Sequence, residues 1–87
     1  MRLDLFLKAS RLCPRRTVAQ QLCDAGFVLL NGRPAKSSHA VKEGDEITLR
    51  WRGRLIVARV LNVPAAKNVS RQEGSRLSEI ISETLLD

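Results

Sequence analysis

The 87 residues amount to one small domain, and a domain of that size buries only about 60% of the surface its unfolded chain exposes. Hydrophobic content is an ordinary 44%, but 15 Lys/Arg against nine Asp/Glu give a formal charge of +6. That balance points to polyanionic partners, nucleic acid before an anionic membrane surface, and the length leaves no room for a catalytic domain beside a binding one.

No stretch approaches the roughly 20 apolar residues of a membrane span. Met1-Arg2 opens onto an amphipathic helix containing Asp4, with no cleavage site, so a cytoplasmic chain without a leader is expected. Cys13 and Cys23 lack a partner pair at zinc spacing, and His39, the sole histidine, does not complete a metal set. The thiols are expected to be reduced, with no metal and no cofactor.

In chain order, the first predicted element is a helix with Leu3, Phe6 and Leu7 on one face. Arg2, Lys8 and Arg11 fall elsewhere around it. Asp4 stands four residues before Lys8, the favourable orientation for a helical ion pair worth a few tenths of a kcal/mol. Cys13-Pro14 should break this helix, and Pro14 suits the first turn of the next. The second helix is expected to bury Val18, Leu22 and Ala25, to pack Cys23, and to stop at Gly26 in a left-handed conformation.

Phe27 to Leu30 reads as a short strand ending at Asn31-Gly32, the dipeptide of a type I′ hairpin. Pro34 then limits the return strand to an edge or a very short piece. Residues 36–41 are polar and irregular; Ser37, Ser38 and His39 have no acid at a useful spacing and read as a solvated loop. After a turn at residues 42–45, Glu46 to Trp51 alternates, with Ile47, Leu49 and Trp51 inward and Arg50 outward. Arg52-Gly53 turns the chain into a strand from Arg54 to Val63, apolar on both parities and closed by Pro64.

The remainder divides the chain into residues 1–63, the binding domain, and 64–87, a polar linker and tail. Leu77, Ile80, Ile81 and Leu85 sit at helical spacing, with Ser75 as a cap. A helix of about a dozen residues is marginal alone. The tail is left to dock on the domain, to dock on a partner, or to remain disordered.

Charge is graded along the chain. Residues 1–36 hold seven Lys/Arg against two Asp/Glu, whereas residues 64–87 hold three against four. A solvated face without a partner is the ordinary fate of a charge run, but so local an excess is not required for solubility. With Phe6 and Trp51 assigned to the core, only Phe27 is left as a stacking platform, which argues against single-strand recognition through stacked bases. Arginine forks reading the phosphates and shape of folded RNA fit better. An RNA-modifying enzyme would need a nucleophile–base pair or metal set that is not legible. A helix-turn-helix DNA reader would continue into a third helix, whereas here the helical pair feeds hairpins. A structural rRNA-bound protein is a further reading.

Four motifs follow one another over Arg2 to Ile47: R-L-D-x-F-L-K, R-R-T-x-A, G-x-V-x-L-N-G and V-K-x-G-D-E-I. In kind and order they resemble the RNA-binding domain of the ribosomal protein S-four type. The first motif, on a chain holding little but this domain, is most similar to the RqcP family. Those are stand-alone bacterial factors of ribosome-associated quality control, related to a small heat-shock protein that rescues stalled large subunits.

The resemblance implies an α+β fold, two short helices packed on a small curved, mainly antiparallel sheet. It implies binding to large-subunit rRNA and peptidyl-tRNA on obstructed large ribosomal subunits, where a partner protein adds alanine tails to the stalled chain. A heat-shock-type rescue factor is the alternative. A non-catalytic, monomeric, ribosome-associated protein is expected. By position, Arg2 and Arg16 match the family's rRNA contact. Lys8, Arg11, Arg15 and Lys36 would extend it, and Thr17 and Arg33 complete the expected RNA-binding set. Two departures are Phe27, where the family carries a polar or basic residue, and Cys13-Pro14 in place of a more basic connection. Beyond Pro64 no motif matches.

Overall fold

The structure is a computed structural model and describes residues 1–65 and 69–86. Helices α1 (Leu3–Ala9) and α2 (Arg16–Asp24) lead into β1 (Val28–Leu30), β2 (Arg33–Pro34), β3 (Glu46–Trp51) and β4 (Arg54–Val60). A four-residue helix, α3 (Arg71–Gly74), and strand β5 (Ser78–Leu85) follow. The strands form one antiparallel sheet in the order β2-β1-β3-β4-β5. This is the expected α+β class.

Leu3, Phe6 and Leu7 of α1 are completely buried, as their spacing predicts, and meet Val28, Leu30, Ile47, Leu49, Ile56 and Val60 from one face of the sheet. The helix ends before Cys13-Pro14. Ser10 caps it, Arg11 takes a left-handed φ of 65°, and the Cys13 N–H donates to the Leu7 carbonyl at 2.9 Å. Arg15 is the N-cap of α2, so Pro14 lies just ahead of that helix and not in its first turn.

The buried stripe of α2 also differs from expectation. It runs through Ala19, Leu22 and Cys23, while Val18 is half-buried and Ala25 is exposed. The stripe keeps helical spacing but is rotated, because Arg16 and Gln20 are turned towards α1 by bonds described below. Gly26 closes the helix at φ 80° as predicted.

Turn chemistry behaves as read. Asn31 and Gly32 have φ of 53° and 82°, and Arg52 and Gly53 have 51° and 72°, the two positive angles of a type I′ turn. β2 is two residues long and lies at the sheet edge, where Pro34's missing N–H breaks no central ladder. The polar segment after it lies against the start of α1. Carbonyls of His39 and Ser37 accept from the N–H groups of Leu3 and Asp4 at 2.8 and 3.0 Å, occupying donors that a helix leaves unpaired.

β4 stops at Val60, three residues short of expectation. Ahead of Glu46 its partner turns at residues 42–45, where the Asp45 carbonyl and the Gly44 N–H take up both backbone groups of Val60, and the N–H groups of Leu61 and Asn62 turn to the Leu77 carbonyl.

The tail is the larger correction. The helix expected from Leu77, Ile80, Ile81 and Leu85 is instead β5, paired antiparallel with β4 from Val60↔Ser78 to Arg54↔Leu85. Ile81 is the extra residue of a bulge opposite Val57/Ala58. Without β5, the doubly apolar β4 would be a bare edge, and the β-branched Ile80, Ile81 and Thr84 suit a strand. Those gains outweigh a short helix that is marginal by itself. Ser70, not Ser75, acts as N-cap, its Oγ accepting from the Glu73 N–H of α3 at 3.2 Å. Gly74 is buried against the end of α1, where a Cβ would stand 2.5 Å from the Ala9 carbonyl oxygen. The linker's Ala66, Lys67 and Asn68, and Asp87, lie outside the described residues.

Candidate RNA interface

The first turn of α1 carries a charged group on its buried side. Asp4 has no exposed surface, and it does not pair with Lys8 as its spacing suggested. Its Oδ1 accepts from Arg2 Nε at 3.1 Å and from the Leu5 N–H at 2.8 Å. Its Oδ2 accepts from Arg16 Nε at 3.1 Å, Gln20 Nε2 at 2.9 Å and Arg2 Nη2 at 3.3 Å. A buried carboxylate needs such a set of donors, which one mobile lysine in solvent does not supply.

Desolvation pulls the Asp4 carboxyl upward, but the hydrogen bonds from Gln20, Arg16, Arg2 and the Leu5 N–H together prevail and hold it below its ordinary value. It is therefore an anion at neutral pH. Two guanidinium groups from separate elements are thereby fixed by their inner edges, while the side chains of Arg2 and Arg16 stay 43% and 39% exposed. Arg16 uses only Nε on Asp4, which leaves its two terminal nitrogens for an outside acceptor.

The other expected residues fall into groups. Arg15 and Thr17 flank Arg16 on the exposed start of α2. Lys36 is exposed at the head of the segment that bonds the first turn of α1. Lys8 stands about 9 Å from Arg2 along the helix axis. With Arg11, Leu12, Cys13, Pro14, Trp51 and Arg52 it lines a depression of about 300 Å³. Arg33 lies apart on β2, beside His39 in a different depression.

Reading the sequence missed Asp4 as the hub, Gln20 as its donor and Arg52 beside Lys8. Two signals were available: Asp4 falls on the Leu3/Leu7 face of α1, and Arg16 and Gln20 are four apart on one face of α2.

Cys13 and Cys23 are free and buried. Burial, aided by Cys23, pushes the Cys13 thiol up to about 11, and burial, aided by Asp4 and Asp24, does the same for Cys23. Both are protonated at neutral pH and pack as small apolar groups. Among the described residues no cluster of three or more His, Cys, Asp or Glu could hold a metal ion. No helix among them is long and apolar enough to cross a membrane.

The S4 domain model matches residues 1–47. A protein of Halalkalibacterium halodurans named RQC P-site tRNA stabilizing factor is 43% identical over 83 residues, covering 95% of this chain and 92% of the relative. A Bacillus subtilis protein of the same name is 40% identical over 86 residues, covering 99% and 98%. The chain belongs to this S4-domain family, the RQC P-site tRNA stabilizing factors. A Helicobacter pylori member is 42% identical over 73 residues, 84% of this chain and 87% of that one.

Two solved structures share the fold. Heat shock protein 15 of Vibrio cholerae, described as trimeric, has a TM-score of 0.84 at 28% identity, covering 94% of this chain and 82% of that one. The solution structure of the protein HP1423 has a TM-score of 0.80 at 38% identity, covering 94% and 98%. Arg2, Asp4, Arg16 and Gln20 all lie inside the matched S4 segment, whereas Trp51, Arg52, α3 and β5 lie beyond it.

Proposed function

We propose that this chain is an RNA-binding factor of ribosome-associated quality control that stabilises a tRNA in the P site. The observation that carries the reading is the buried Asp4 presenting Arg2 and Arg16 side by side. Guanidinium groups already held in place lose less rotamer freedom on meeting phosphate, so more of each contact becomes affinity. The names of relatives at 40–43% identity supply the setting.

In finer detail, the partners are large-subunit rRNA and peptidyl-tRNA on an obstructed large subunit, in the cytoplasm, while a partner protein adds alanine tails. The chain acts there as a clamp without turnover, and raises one tRNA position only by its differential affinity for that state.

The test is alanine-tail synthesis on purified obstructed large subunits. Adding the protein should raise tailing until occupancy saturates, and an Arg2→Ala, Arg16→Ala variant that still melts cooperatively should lose binding and stimulation together. Tailing that is equal with and without the protein overturns this role. The likeness to heat shock protein 15 favours a second reading, general rescue of large subunits. It would show as unchanged tailing with binding to obstructed subunits retained.

A further inference from the structure

Trp51 packs against the core, as its parity suggested, but only in part. It ends the inward row of β3, half-buried, and lines the depression formed with the α1–α2 turn. The guanidinium of Arg52 lies over its indole, with the carbon 4.8 Å from the ring centroid. Lys8 and Arg11 line the same depression, and none of the described lining residues is acidic. No ion pair engages Lys8, Arg11 or Arg52 among the described residues.

Two of these cations stand at left-handed backbone positions. Arg52 occupies a left-handed turn position, and Arg11 is left-handed too. Its Cγ and Cδ lie so close to Gly74 that a Cβ there would meet them at 3.1 and 3.3 Å.

We infer that this depression is a second RNA site that takes one unpaired nucleotide, its base stacked on the Arg52–Trp51 pair and its phosphate held by Lys8 and Arg11. A guanidinium lying on an indole has a second planar face, and bases stack on either kind of surface without regard to sequence. A volume of about 300 Å³ admits a single small ligand group. Paired bases are stacked inside a helix and cannot enter such a depression. The arrangement therefore selects a strand end, bulge or loop. The inference rests on the RNA-binding reading for its class of partner and fails separately from it.

Trp51 is the sole tryptophan and the chain has no tyrosine, so its emission reports this site alone. The full chain is titrated with an oligoadenylate of about eight nucleotides, with a blunt-ended, fully paired RNA duplex, and with oligoglutamate. Oligoadenylate should quench Trp51 saturably, and the other two should not. Arg52→Asn, which keeps a residue that tolerates the left-handed turn, should weaken oligoadenylate binding roughly tenfold while duplex binding, read by gel shift, is retained. Arg52→Lys keeps the charge but not the plane, and should weaken it comparably.

Absent quenching with duplex binding intact overturns this site and leaves the RNA-binding reading standing, whereas no binding of either RNA removes both. Equal quenching by oligoglutamate makes the depression an acidic-peptide site and overturns the inference. Wild-type affinity in Arg52→Lys does so as well, because charge alone would then suffice.

Discussion

Asp4 shows how one residue can change roles between the linear and the folded chain. In sequence its visible partner is Lys8, one turn on; in the fold its partners are Arg16 and Gln20, brought by a second helix. Local spacing cannot reveal a donor twelve residues away, although the placement of Asp4 on the apolar face was legible. Asp4→Asn should lower stability by about 2 kcal/mol, the scale of charge-assisted hydrogen bonds, and the melting midpoint by roughly 10 °C. It should also weaken RNA binding although it makes the chain more positive, which a gel shift beside a thermal melt would check. The acid limb follows from the same carboxylate. Its folded pKa lies below its ordinary value of 3.8, so its stabilisation is complete above that value and is lost as pH falls through the lower folded pKa. Melting midpoints of Asp4→Asn should therefore fall less steeply than those of the wild type below about pH 4.

Among the elements, those specified by their own residues were legible and those specified by a neighbour were not. Asn31-Gly32 and Arg52-Gly53 make their turns with local backbone angles, and β3 was read correctly from its alternation. The tail was not, because four apolar residues at helical spacing fit a strand once β4 is there to pair with it. Gly74 allows the docking of α3 to be tested with opposing signs. Alanine is the better helix former by about 1 kcal/mol, but its methyl group would press on the Ala9 backbone carbonyl, which cannot swing aside. Sterics should win, with Gly74→Ala destabilising by roughly 1–3 kcal/mol in denaturant titration. A gain in stability would show that α3 does not lie against α1.

For the whole molecule, the excess positive charge was plain in the sequence, but its division among the Asp4 unit, the Trp51 depression and the β2 edge was not. That division depends on where helices end and hairpins turn. If about five phosphates are neutralised in all, affinity for folded RNA should drop on the order of 500-fold between 50 and 200 mM salt. A nearly flat response in filter binding would mean that contacts other than ion pairs dominate. The placing of α3 on α1 and of β5 on β4 also sets an order of events at birth. The helices and first hairpin emerge first, yet the edge of β4 and the shoulder of α1 are covered by residues 71–85, which are translated after them. At about 5–20 residues per second, residues 61–86 take roughly one to five seconds to make. Nascent chains arrested shortly after Val60 should therefore be cut readily by protease within β4, and chains carrying β5 clear of the exit tunnel should resist.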